Sequence, residues 1–252
     1  MFKLFKFGTF KRSRTSNPTS KLAFLSAPPK GVTMQIAATA TFTAKLIIEG
    51  EGHVITVGAG SRIRGSIRIK GRNNRVTIGE DVECSDQIVI QGRENKIAIG
   101  DKVALGGRIM MKGVGQLVDI GNGTVARDTY ILCSEEKNVI IGKGCLFSRN
   151  VEIRTTDAHA LINRETGERL NLAQSVEIGD HVWMGVGVLV SKGAKIAEDN
   201  VVGAKSFVAK PFLESGTVIA GLPAQVVKRG VTWQRDRKAK YDPDTLENWR
   251  LL

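Results

Sequence analysis

Three histidines and three cysteines are the residues of this 252-residue chain best suited to proton transfer, metal ligation or nucleophilic attack. Cys84, Cys133 and Cys145 are odd in number and show no C-x-x-C spacing, which points to a reduced, cytoplasmic setting. His53, His159 and His181 lie far apart and lack the paired spacing of a three-histidine zinc site, so no metal is expected. Imidazole is the side chain whose ordinary titration lies near neutral pH. One of the three, His159, follows Asp157 by two residues within "IRTTDAHALINRETGERLN", residues 153–171.

What must position that stretch is a repeat. Aligned in equal rows that start at Leu46, Ile67, Ile88, Ile109 and Tyr130, the chain reads "LIIEGEGHVITVGAGSRIRGS", "IRIKGRNNRVTIGEDVECSDQ", "IVIQGRENKIAIGDKVALGGR", "IMMKGVGQLVDIGNGTVARDT" and "YILCSEEKNVIIGKGCLFSRN". Fixed periods of this length signal a solenoid. A finer step of 6, 6 and 9 from Val57 lands on aliphatic or other apolar residues throughout, including Ile63, Ile69, Ile78, Cys84, Ile90, Leu132 and Ile153. From Ile178 the step becomes a plain 6 through Met184, Val190, Ile196, Val202 and Val208. One inward residue per six describes a short strand plus a corner, and three such units close a triangular coil. The step of 9 is one corner enlarged by "GRNN", "GREN", "GVGQ" or "SEEK", all rich in turn formers. Successive coils then stack as parallel sheets about 4.8 Å apart, with about eight coils between Leu46 and Ala224.

The stretch around His159 breaks this rhythm. From Ile153 to Ile178 the gap is 25 instead of 9, so 16 extra residues leave the prism at one corner. Surface insertions are thermodynamically cheap, and loops carried on rigid scaffolds often hold function.

The residues of the loop and of the coils after it carry a resemblance. "TDAHALINRETGERLN", then "VEIGDHVWMGVGVLVSKGAKIAEDNVVGAKSFVAK" and "TVIAGLPAQVVK", resemble the bacterial polysaccharide O-acetyltransferases of the hexapeptide family, in particular the capsular sialic acid O-acetyltransferases. The motif spans residues 151–233, and the coil pattern extends it back to Leu46. The resemblance implies an all-β fold, a left-handed parallel β-helix with an extruded catalytic loop and a short C-terminal extension. The left hand comes from the family, since parallel crossovers are normally right-handed.

It also implies an activity: transfer of an acetyl group from acetyl-CoA to a hydroxyl of a bacterial surface polysaccharide, without metal, in a homotrimer. His159 maps onto the family's catalytic base. A sugar hydroxyl attacks a thioester poorly unless a base takes its proton as the new bond forms, and direct attack requires no Ser or Cys nucleophile. Asp157 can orient His159, accept a sugar hydroxyl, or close an Asx-turn. Trp183 precedes inward Met184, so alternation turns it outward. There it can wall the acceptor cleft, with its backbone N–H a candidate donor to the oxyanion. His181 is also expected to face outward, toward a neighbouring chain or CoA, with no catalytic role. Trp183, His181 and the loop are expected near one edge. For the CoA groove the resemblance points to Gly185, Gly203, Ala204, Lys205, Ser206, Lys210, Pro223 and Lys228. Lys205 replaces the glycine usual in "GAGS", and Leu222 replaces the usual asparagine before Pro223.

Charge divides the chain. Lys and Arg exceed Asp and Glu by 12, but residues 1–30 hold seven bases and no acid, and residues 228–252 hold seven bases and four acids. The central part is left nearly balanced at +2, which argues against a nucleic-acid binder, whose charge belongs on its folded domain. The division into domains follows: a basic tail and cap over 1–45, the β-helix over 46–224 with its loop at 154–174, and a C-terminal extension over 225–252. "MFKLFKFGTFKRSR" reads either as an unstructured basic tail or as a segment lying on the inner membrane surface. Rival readings are transfer of another acyl group, such as formyl or succinyl, to a small sugar or nucleotide-sugar, and a non-enzymatic β-helix scaffold. The second predicts an uninterrupted prism.

Overall fold

The computed structural model describes residues 30–251; the basic stretch 1–29 lies outside them. The short strands wind into a three-sided parallel solenoid. Its first face holds eight strands, from Val32–Ile36 through His53–Val57 and Arg75–Ile78 to Lys195–Ile196, each paired with the equivalent strand of the next coil. The second face runs from Thr41–Phe42 to Thr217–Gly221 and closes with the antiparallel strand Ala224–Arg229. The third runs from Lys45–Glu51 to Phe207–Val208. Parallel stacking therefore begins at Val32, one coil before the repeat is legible in the sequence. Among the described residues no helix is long and apolar enough to cross a membrane.

The six-residue step is the reason for the shape. Residues at the step point inward, and Val57, Ile78, Ile99, Ile120, Ile141, Ile178 and Ile196 form one buried column. Burial of each such side chain contributes about 1.5–3 kcal/mol relative to exposure. The enlarged corners all fall between the third and first faces. There Gly50, Gly71, Gly92 and Gly113 hold φ between +107° and +137°, and a Cβ on Gly92 would sit 1.8 Å from the Gly113 carbonyl oxygen. Side-chain amides at the same corner make a buried ladder. Asn74 N–H donates to His53 Nδ1 (3.2 Å), and Asn95 Nδ2 donates to Asn74 Oδ1 (3.1 Å). His53 is thereby a fully buried structural residue.

One inward assignment is overturned. The third face was expected to turn Leu132 inward; instead Cys133 lies opposite Met111 in the core, and Leu132 pairs with outward Met110. Pairing runs Leu105 to Ala126 but Gly107 to Thr129, so Val125–Ser134 carries one extra residue at the corner. Such a bulge shifts the alternation along the rest of that strand, and the following corner, one residue shorter between Cys133 and Ile141, restores the inward step at Ile141, Phe147 and Ile153.

Candidate active site

The loop leaves the prism after Val151–Arg154, at the same corner that elsewhere carries the three-residue enlargements. It is clamped by the coils on either side. From the preceding coil, Glu135 of "SEEK" receives Arg169 Nη1 at 2.6 Å and Nη2 at 3.2 Å, together with the Thr156 hydroxyl. From the following coil, Lys192 donates to Asp157 Oδ2. The bond from Arg169 holds the Glu135 carboxyl below its ordinary range, and the bond from Lys192, helped by Asn171, does the same for Asp157. Within the loop Ile162 and Arg169 form an antiparallel bridge, and Asn163 Oδ1 accepts from the backbone of Glu165 (2.8 Å) and Thr166 (3.1 Å).

His159 sits at the outer part of this structure and is exposed. Asn171 secures its backbone: one Nδ2 reaches the His159 carbonyl (2.9 Å) and Asp157 Oδ2 (2.8 Å), and Oδ1 accepts from Leu161 N–H (2.7 Å). Ala158, just before it, holds φ +66°, a left-handed conformation that costs a non-glycine residue energy and persists only where neighbours impose it. Among the described residues the His159 ring has no hydrogen-bond partner. Asp157 therefore meets Lys192 and Asn171, not the ring, and no Asx-turn of its own is formed. Asn171, Glu135, Arg169 and Lys192 escape a reading by motif because each lies on a different coil or at the far end of the loop.

Trp183 does turn outward, on the second face, 39% exposed. The loop, however, leaves at the corner between the third and first faces, opposite the second. Within one chain His159 and Trp183 are not brought to one edge, contrary to the sequence reading. The reason is the triangular section: between the loop and Trp183 the chain crosses the whole first face at Val176–Ile178 and turns a further corner. The Trp183 backbone N–H is also committed, donating to the Asn200 carbonyl at 2.9 Å, so it is not the oxyanion donor. His181 turns outward too, but its ring is covered by its own chain. It is 5% exposed, stacked between Trp233 (4.3 Å between centroids) and Trp249 (4.9 Å) of its own chain.

The expected groove residues divide into two places. Gly185, Gly203, Ala204 and Lys205 lie on consecutive coils along the second face and its far corner. Lys205 takes φ +60°, the conformation that the missing glycine would favour, so the backbone shape survives the substitution. The N–H groups of Gly185, Gly203 and Lys205 donate to the carbonyls of Val202, Ile219 and Val186. The Ala204 N–H donates to no described residue. A Cβ on Gly185 would stand 2.6 Å from that nitrogen, so the absence of a side chain there leaves the amide open. Ser206 is buried, and its Oγ accepts from Gly221 N–H at 3.1 Å, a structural role.

Lys210, Pro223 and Lys228 lie further on. Pro223 turns the closing hairpin, and Lys228 is exposed on Ala224–Arg229. Lys210 Nζ bonds Gln225 Oε1 (2.9 Å) at a cavity of about 370 Å³ that Phe212 and Arg229 also line. Arg229 is paired there with Glu214, its Nε donating to Oε1 (3.0 Å) and Oε2 (3.1 Å). Burial pushes the Cys84, Cys133 and Cys145 thiols up to about 12, which keeps them protonated at neutral pH.

No family model matches the chain. Over 121 residues it is 32% identical to a polysialic acid O-acetyltransferase of Neisseria meningitidis, covering 47% of this chain and 56% of that protein. Over 111 residues it is 31% identical to a polysialic acid O-acetyltransferase of Escherichia coli O1:K1 / APEC, covering 44% and 36%. The chain thus spans about half and about a third of these two relatives. In three dimensions it matches a crystal structure of a polysialic acid O-acetyltransferase with a TM-score of 0.69 and 29% identity, over 86% of this chain and 99% of that one. The chain is similar to the hexapeptide-repeat O-acetyltransferases. Its fold is their left-handed parallel β-helix, as the sequence resemblance implied.

Proposed function

We propose that this protein transfers an acetyl group from acetyl-CoA to a hydroxyl of an anionic bacterial surface polysaccharide, with polysialic acid the acceptor to test first. The observation that carries this reading is the loop that holds an exposed His159 rigidly outside an otherwise continuous prism. Its relatives' names supply the acceptor class.

The chemistry follows from the groups present. Neutral His159 takes the proton of the acceptor hydroxyl as its oxygen attacks the thioester carbonyl. The carbonyl electrons move to oxygen, and the unpartnered Ala204 amide is the candidate donor to this oxyanion or to the pantetheine arm. Collapse reforms the carbonyl and breaks the C–S bond. The imidazolium then returns its proton to the departing thiolate, leaving the enzyme unchanged. No thiol of the chain takes part, in keeping with three buried, protonated cysteines. Trp183 is read as the wall of the acceptor cleft, and Lys210 and Lys228 as the cations for the phosphates of CoA.

The site is read as lying between subunits of a homotrimer, because one chain sets His159 and Trp183 on different sides. Cyclic closure lets the loop of each subunit face the second face of the next. The test is release of free CoA thiol from acetyl-CoA by purified protein across a panel of bacterial polysaccharides. Release stimulated by polysialic acid supports the reading. No release with any polysaccharide, in a folded protein, overturns it.

A further inference from the structure

The chain does not leave the prism after its closing hairpin. Val231 N–H donates to the Gly216 carbonyl (3.0 Å), the Thr232 hydroxyl to Asp199 Oδ1 (2.7 Å), Trp233 Nε1–H to the His181 carbonyl (2.7 Å), and Arg235 to the Gly123 carbonyl (3.0 Å). Gly123, His181, Asp199 and Gly216 belong to one column, the corner between the first and second faces, all at φ between +53° and +68°. Residues 231–235 therefore run as a strap down that edge, against the direction in which the coils rise.

The strap is tightest at His181. His181 Nδ1–H donates to Asp199 Oδ1 at 2.9 Å, and the ring is held between Trp233 and Trp249 with interplanar angles of 11° and 3°. The Arg250 guanidinium caps the far side of Trp249 at 4.2 Å. Trp233 is consequently fixed by a hydrogen bond and by stacking, and is only 6% exposed. Its other neighbour is Trp183, at 6.1 Å between centroids and tilted by 44°, inside the range of favourable aromatic pairs.

We propose that the C-terminal strap is the positioning element for Trp183, with Trp233 as the positioning residue. This rests on the reading of Trp183 as the acceptor wall. A tryptophan on a flat sheet face has two free side-chain torsions and samples several rotamers. The Trp233 ring removes those on its side and holds the indole at one tilt, while the rest of Trp183 stays open to the acceptor. Trp233 touches no reacting group and acts only through its neighbour.

The chain has three tryptophans, so Trp233→Phe with Trp249→Phe leaves Trp183 as the only tryptophan, read by excitation that tyrosine does not absorb. Trp233→Leu with Trp249→Phe keeps an apolar side chain but removes the ring beside it. Trp183 emission should shift to the red, and its quenching by acrylamide should rise, in the Leu chain relative to the Phe chain. In transfer assays Trp233→Phe should stay near wild type, whereas Trp233→Leu should lose about tenfold in acceptor kcat/KM with the donor KM unchanged. Should the Leu chain not fold, Thr232→Val in the Phe background loosens the strap beside the stack and must also raise quenching. Equal quenching with and without these changes overturns the proposal. If emission separates the chains but the wild-type protein transfers no acetyl group, the strap stands and the acceptor-wall reading falls.

Discussion

At the scale of residues, the proposed chemistry depends on one imidazole and on what keeps it in place. His159→Ala should fold normally yet lose at least about a hundredfold in kcat, the usual worth of acid–base catalysis. Near-wild-type turnover with an unchanged circular dichroism spectrum would falsify the assignment. Gly185 offers a second, independent check. A methyl group there would stand 2.6 Å from the Ala204 nitrogen and cover the one amide of that segment left open. Gly185→Ala should therefore raise the acetyl-CoA KM by about tenfold, a hydrogen bond's worth of binding, while the acceptor KM holds. A donor KM that does not move means the amide is not used.

At the scale of elements, the loop that carries His159 is a branch of one corner, held by the corners above and below it. Glu135 and Asp157 both have their carboxyls held below the ordinary range by Arg169 and Lys192. A depressed folded-state pKa stabilises above the unfolded value and loses that contribution as pH falls through the folded one. Loop anchoring is thus complete at neutral pH and weakens below the ordinary carboxylate range. Limited proteolysis should find cleavage within residues 156–174 accelerating in acid before the prism loses its β-sheet signal. Glu135→Gln should bring the same cleavage to neutral pH. The loop and the prism becoming protease-sensitive together would contradict this. The loop was legible in the sequence because it breaks the period, but its clamps were not. Glu135 lies a full coil before the loop that carries Arg169, and Lys192 follows Asp157 only after the chain has gone round again. Only the stacking of coils makes them neighbours.

At the scale of the whole molecule, the proposed site needs more than one chain. His159 stands outside one corner, and Trp183 with the open Ala204 amide belongs to the face opposite. Exposed Leu161, Ile162, Leu170 and Leu172 on the loop add apolar surface that an adjoining subunit would cover. Sedimentation should give a mass near three chains with or without ligand. At acetyl-CoA well below the raised KM of the Gly185→Ala chain, mixing His159→Ala chains with Gly185→Ala chains should give more activity than the two measured separately and summed, since some mixed sites pair an intact loop with an intact face. A fully active monomer excludes the shared site.

The six-residue period is local and redundant. Each coil repeats the same inward aliphatic and the same corner glycine, so fold class, loop position and the identity of His159 could be argued from sequence and resemblance alone. Three things were decided only in three dimensions. The bulge before Thr129 turned Cys133 inward in place of Leu132, because one unpaired residue changes no local pattern yet flips the side chains up to the next corner, where the register is restored. The backbone N–H of Trp183 proved committed to Asn200, because a solenoid uses its amides to bind coil to coil. His181 became the centre of an aromatic stack through Trp233 and Trp249, both of which follow the last coil in the sequence. No period records that contact. It exists because the chain, having finished its coils, turns back along the column of left-handed corners it had already built.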